Sequence, residues 1–145
     1  GRLFDTVAAM AGFTREVTFE GQAAMWLEHA AGASPTRTPY PFPIDGAELD
    51  FRPLLAAIAA DRGDPARIAR SFHQAVAEAV VRAACQLCEA HSIPTVVLSG
   101  GVFQNTLLLE LIQRAMPPSL RVWTNSAAPP NDGGVSLGQA ALACF

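Results

Sequence analysis

The sequence predicts an α/β protein, helix-rich over its first two thirds and closing on a β-α-β-α unit. Three observations carry this. Apolar residues recur at three and four from Leu3 to about Ala90, the period of amphipathic helices. Thr95-Val96-Val97-Leu98 is then a β-branched apolar run without alternation, the pattern of a strand covered on both faces in a parallel sheet. Lastly, two glycine turns, Ser99-Gly100-Gly101 and Asn131-Asp132-Gly133-Gly134, each stand where a strand hands over to a helix.

Taken in order, Leu3, Phe4, Val7, Ala8 and Ala11 make a first helix that Gly12 stops as a C-cap would. A second runs from about Gly21 to Ala31 with Ala23, Ala24, Leu27 and Ala30 inward, and ends at Gly32. Residues 33–51 form a surface excursion holding Pro35, Pro39, Pro41 and Pro43, with Asp45-Gly46 turning Phe42/Ile44 back against Leu49/Phe51 as a small hairpin. Pro53 starts a short helix to about Ala60. Asp64-Pro65 is an N-cap and first-turn pair for a longer helix, to about Ala90, whose apolar stripe is Ile68, Phe72, Val76, Val80, Ala83 and Leu87. After the strand, Leu107, Leu108, Leu111 and Ile112 define a helix stopped by Pro117-Pro118. Leu120 to Thr124 gives a second strand, and a final helix ends near Cys144. A right-handed crossover makes the strands parallel and puts both glycine turns at the carboxyl edge of the sheet, where ligands bind.

Composition narrows the class. With 145 residues, 50% hydrophobic and 16% charged, the chain can bury the core of one domain and is not disordered. A net charge of −3, with scattered arginines and no basic run, argues against nucleic acid as a partner. No apolar run approaches the ~18 residues of a membrane span, and no signal peptide opens the chain, so a cytoplasmic setting without membrane contact is expected. Three cysteines, an odd number, make no disulfide framework. Cys85 and Cys88 sit inside a helical pattern, where they serve as small buried hydrophobes rather than as a redox or zinc pair.

The candidate site lies at the glycine turns. One such turn is a weak signal, because glycine also serves tight turns and close packing. Two on neighbouring parallel strands, one followed by Asn105 and one containing Asp132, point to a phosphate site. Asp132 reads either as an ordinary helix N-cap or as a carboxylate aimed at a cation. Asn105 reads either as a cap or as an amide holding a ribose or phosphate oxygen. Asp5 has an alternative as a solvated helix carboxylate, and His73, mid-helix beside Phe72, reads as a packed or hydrogen-bonded structural histidine.

Several segments, in order, carry a resemblance. These are Gly1-Arg2-Leu3-Phe4-Asp5-Thr6-Val7-Ala8, Glu20-Gly21-Gln22-Ala23-Ala24-Met25 through Leu27-Glu28, Phe72-His73, Leu98 to Asn105, and Asn131 to Gly134 through Leu137-Gly138-Gln139-Ala140. Together they resemble the C-terminal part of the HypF family of hydrogenase maturation carbamoyltransferases, over residues 1 to about 140 with a break in the proline-rich excursion. The resemblance implies the second lobe of an actin-like, sugar-kinase-like (ribonuclease H-like) ATPase fold, in a domain related to the tRNA threonylcarbamoyl transferases. Residues 1–92 would be the helical part of that lobe and 93–145 its nucleotide-site part. It implies carbamoyl phosphate and ATP as substrates, carbamoyl adenylate as intermediate, and the C-terminal cysteine of a HypE-type acceptor protein as the carbamoyl recipient, on the way to a cyanide ligand of nickel-iron hydrogenase. By motif match, Asp5 and Gly21 would contact the nucleoside, Gly100 and Gly101 the phosphates, Asn105 the nucleotide, and Asp132 a divalent metal.

The family also holds that metal with a His-x-x-x-His pair from the other lobe, a spacing that His29, His73 and His91 do not have. The chain is therefore expected to be a piece of a longer protein, inactive alone, and to self-associate through apolar surface that the remaining domains would cover. Two other readings stand beside this one. A tRNA-modifying relative would share the nucleotide site, but Gly1 to Asp5 and Glu20-Gly21-Gln22 depart from its usual motifs. A non-catalytic nucleotide-binding lobe would dock a partner through Tyr40 to Ile44.

Overall fold

The computed structural model describes residues 2–35, 38–46 and 48–144. Gly1 of the opening motif, Thr36 and Arg37 of the proline-rich stretch and Ala47 of its hairpin lie outside the described residues, as does Phe145. The elements follow as α1 (Leu3–Met10), α2 (Gln22–Gly32), β1 (Ile44–Asp45), β2 (Glu48–Leu49), α3 (Arg52–Ala60), α4 (Pro65–His91), β3 (Thr95–Leu98), α5 (Thr106–Ala115), β4 (Arg121–Thr124) and α6 (Val135–Leu142). None of the described helices is long and apolar enough to cross a membrane.

The helix α4 is the axis of the molecule. Asp64 caps it, its carboxylate accepting from Arg67 N at 3.0 Å, with Pro65 in the first turn. Ser92 ends it in the left-handed region at φ +54°. Its middle is buried nearly all round: Ala69, Phe72, His73, Ala75, Val76, Ala77 and Ala79 are covered, because α2 packs on one flank and α5 on another. Phe72, Leu27, Leu54, Leu108 and Ile112 are the largest fully buried apolar side chains, each worth about 1.5–3 kcal/mol of transfer free energy. The expected stripe holds for Ile68, Phe72 and Val76. It loosens to half-burial at Val80 and Ala83, and Leu87 is exposed, since the end of α4 extends past its neighbours. On α2 the inward residues are Ala23, Leu27 and Ala31, with Ala24 and Ala30 half-buried.

The proline-rich excursion is tied down from within. Phe42 is buried, and its carbonyl accepts from Arg82 Nη2 at 2.6 Å. Tyr40 Oη donates to Asp61 Oδ2 at 2.5 Å, and Arg67 pairs with the same carboxylate. Burial and this carboxylate raise the tyrosine pKa, whereas the hydroxyl, Gly63 N–H and Arg67 hold that of Asp61 down. The aromatic side chains expected to face a partner are thus engaged by the chain's own core. The hairpin is as expected, Ile44 opposite Leu49 and Asp45 opposite Glu48.

Strands β3 and β4 are parallel, with Thr95, Val96, Val97 and Leu98 opposite Arg121, Val122, Trp123 and Thr124. Their inner face carries Leu98 and the half-buried Val96 and Val122. The outer face does not fit the expectation of a strand covered on both sides: Val97 is 63% exposed and its register partner Trp123 60%. No residue of α6 is buried, and it leaves Val135, Leu137 and Leu142 exposed, so nothing described here closes that face. Cys85 and Cys88 are half-buried free thiols and Cys144 is exposed.

Candidate nucleotide site at the carboxyl edge of the sheet

After β3 the chain turns at Ser99 and enters Gly100 at φ +114° and ψ 158°, a region essentially reserved for glycine. Gly101 to Gln104 then make one 3-10 turn, closed by Phe103 N to Gly100 O at 3.0 Å and by Asn105 N to Val102 O at 3.1 Å. The main chain joins the two glycine turns, as Gly100 N donates to Pro130 O at 2.7 Å. Gly101 lies beside the second turn: a Cβ there would meet Asn131 Cβ at 3.7 Å, an ordinary contact. Packing within the described chain therefore does not require glycine at 101.

In the second turn Asn131 Oδ1 accepts from Gly133 N at 3.1 Å, and Gly134 N donates to Asn131 O at 3.0 Å. The capping role open to Asp132 belongs to Asn131, which leaves the Asp132 carboxylate exposed at the start of the Asp132–Gly134 turn. Gly134 has a steric reason: a Cβ would stand 2.9 Å from Pro129 O. That requirement was not legible before the path of the chain from Pro129 to Gly134 was seen.

Asn105 closes the first turn and caps α5, its Oδ1 accepting from Leu108 N at 2.8 Å. Its Nδ2 donates to His73 Nε2 at 2.9 Å. The histidine is fully buried, and its Nδ1–H donates to Ala69 O at 2.8 Å. A carbonyl only accepts, so Nδ1 carries the proton and Nε2 is the acceptor, which in turn fixes which end of the Asn105 amide faces it. Burial lowers the His73 pKa, keeping the ring neutral. Edge-on contacts from Phe4 and Phe72, centroids 5.6 Å from the ring, complete its surroundings. Glu28 on α2 adds a second cap to α5, Oε1 accepting from Leu107 N at 3.1 Å and from Thr106 Oγ1 at 2.8 Å. The structural role expected for His73 is the observed one, and its bond to Asn105, 32 residues away, had no counterpart in local pattern.

The remaining candidates belong to the helical part. Asp5 is exposed on the first turn of α1, which reaches Asn105 through Phe4 and His73. Gly21 is the N-cap of α2 at φ +83°, beside Thr18, whose N–H donates to Gln22 Oε1 at 2.8 Å. Gly100, Gly101 and the Asp132 turn are thus brought together directly, with Asn105 at one end. Among the described residues no three His, Cys, Asp or Glu side chains gather as a metal would need, so Asp132 alone does not form a metal site. An open groove of about 400 Å³, lined by Cys85, Cys88, Ile93 and Leu120 among others, lies at the amino ends of the strands, away from this edge.

A two-stranded parallel sheet thus lies on a helical layer with two glycine turns paired at its carboxyl edge, the edge at which open α/β sheets bind ligands. Residues 1–139 match the family model described as "Carbamoyltransferase, Kae1-like Domain, second subdomain". The carbamoyltransferase HypF of Synechocystis sp. is 38% identical over 146 residues, covering 96% of this chain and 18% of that protein. The HypF of Rhodobacter capsulatus is 38% identical over 145 residues, covering 99% and 19%. Full-length HypF, solved in a phosphate- and nucleotide-bound form, superposes with a TM-score of 0.85 at 37% identity over 99% of this chain and 20% of that one. HypF of T. kodakarensis gives 0.87 at 29% identity, over 98% and 19%. The chain belongs to the HypF carbamoyltransferase family, and it spans about a fifth of the length of these relatives.

Proposed function

We propose that this chain supplies the phosphate-facing half of the nucleotide site in an ATP-dependent carbamoyltransferase. The observation that carries the proposal is the main-chain bond joining two glycine turns at one sheet edge, Gly100 N to Pro130 O, in a chain whose relative was solved with phosphate and nucleotide bound. In this reading the chain is the second lobe of an actin-like domain. Gly100 and Gly101 receive the phosphates, Asn105 faces the nucleotide, Asp5 and Gly21 approach the nucleoside, and Asp132 offers one ligand to a divalent cation whose other ligands come from outside this chain. Glycine at 101, which the fold does not demand, is accounted for by close approach of a phosphate to the main chain.

The reaction follows from the chemistry of a mixed anhydride. Water displaces phosphate from carbamoyl phosphate to leave carbamate, whose oxygen forms the bond to the α-phosphorus of ATP as the bond to pyrophosphate breaks, giving carbamoyl adenylate. A thiolate, the C-terminal cysteine of a HypE-type acceptor, attacks its carbonyl carbon; the carbon–sulfur bond forms, the carbon–oxygen bond to phosphate breaks, and AMP leaves. Main-chain N–H groups aimed at the phosphate stabilise the negative charge that develops on the leaving group. The family match and the net charge of −3 favour a protein acceptor over tRNA.

Calorimetric titration of ATP with magnesium into the full-length protein tests the site, with Gly101→Val as its partner variant. Binding that the valine removes supports the reading; equal binding by a folded variant sinks it. Transfer of labelled carbamoyl to the acceptor cysteine tests the activity.

A further inference from the structure

The hydrogen bonds around His73 form one directed chain. Leu108 N–H donates to Asn105 Oδ1, Asn105 Nδ2 donates to His73 Nε2, and His73 Nδ1–H donates to Ala69 O, at 2.8, 2.9 and 2.8 Å. Every step needs the one before it. If the imidazole were protonated, Nε2 would present a hydrogen to the Asn105 amide; the amide would have to turn over, and α5 would lose its cap. Asn105 is also the last residue of the glycine turn, its N–H bonded to Val102 O at 3.1 Å. The near end of that turn is held by Gly100 N to Pro130 O, and its far end by the asparagine that His73 orients.

We propose that His73 is a positioning residue for the nucleotide site, its neutral imidazole locking Asn105 and thereby the far end of the Gly100–Gln104 turn, without touching the ligand. The proposal rests on the nucleotide reading of that turn. Glu28 on α2 and Arg70 on α4 are the charged groups acting on the ring, with opposite effects on its protonation, while α1 faces it with the uncharged Phe4 and α5 with Asn105. Burial outweighs them and lowers the pKa of the ring, which favours its neutral form. The lock is therefore intact at neutral pH and fails as acidification protonates the ring.

The test measures ATP–magnesium affinity of the full-length protein from pH 7.5 to 5 for wild type, His73→Leu and His73→Gln. Leucine removes the acceptor; glutamine keeps an oxygen near the Nε2 position that does not titrate there. Expected at neutral pH are an affinity about fivefold weaker for His73→Leu, the worth of one hydrogen bond, and near-wild-type affinity for His73→Gln. On acidification wild type weakens more steeply than His73→Gln, whose remaining slope is that of the nucleotide itself. A purely structural histidine would change thermal stability but would not separate the two pH profiles. Folded His73→Leu that binds like wild type, or His73→Gln with the wild-type slope, overturns the proposal while leaving the nucleotide reading intact. Wild type that binds no nucleotide overturns both. Should His73→Leu fail to fold, comparison of the wild-type and His73→Gln slopes decides alone.

Discussion

Single residues divide here by what demands them. Gly134 is required by backbone, since a Cβ would lie 2.9 Å from Pro129 O, whereas Gly101 has room for one at 3.7 Å from Asn131 Cβ. We predict that Gly134→Ala destabilises the protein by about 1–3 kcal/mol and that Gly101→Ala stays within about 0.5 kcal/mol of wild type. Denaturant midpoints at unchanged slope would show it; equal losses would mean that the second turn relaxes freely. The two glycines look alike as sequence, and only the carbonyl opposite one of them tells them apart. Asp132 and Asn131 teach the same lesson. Either could cap the turn by type, and Asn131 takes the position, freeing the carboxylate.

Elements were the most legible level, because periodicity and caps are local. Asp64-Pro65 announced the start of α4, and the cap is there, Arg67 N donating to Asp64 Oδ1. Asp64→Ala is expected to cost about 1 kcal/mol in unfolding free energy. A change under a few tenths in thermal or chemical denaturation would show that the packed middle of α4 holds its first turn without help. Burial along an element is less legible. The apolar stripe of α4 continued in the sequence to Leu87, yet only its neighbours decide where cover ends, and they stop near Val81. The start of α5 likewise gave away Asn105 but not Glu28, which reaches it from α2 across 78 residues.

At the scale of the molecule, the bare outer face is the main departure. Val97 and Trp123 stand side by side, with Val102, Val135, Leu137 and Leu142 also exposed at this end of the chain. Exposed apolar area of this kind associates in water. We expect the chain studied alone to self-associate with rising concentration and Trp123→Ser to weaken that association. A single monomeric boundary in sedimentation velocity at high concentration would refute this.

The sequence by itself determined the α/β class, the order of the elements, the cap of α4, the parallel strand pair, and the placing of two glycine turns at one sheet edge. These follow from local rules: hydrophobic period, turn chemistry and crossover handedness. The tertiary structure alone decided that His73 orients Asn105, that Glu28 caps α5, that Gly134 is sterically obligatory and Gly101 is not, and that one sheet face lies open. The first two are hydrogen bonds between residues far apart in the chain, the glycine requirements depend on the exact path of the second turn, and the open face on which elements cover it; the sequence pattern carries no term for any of these.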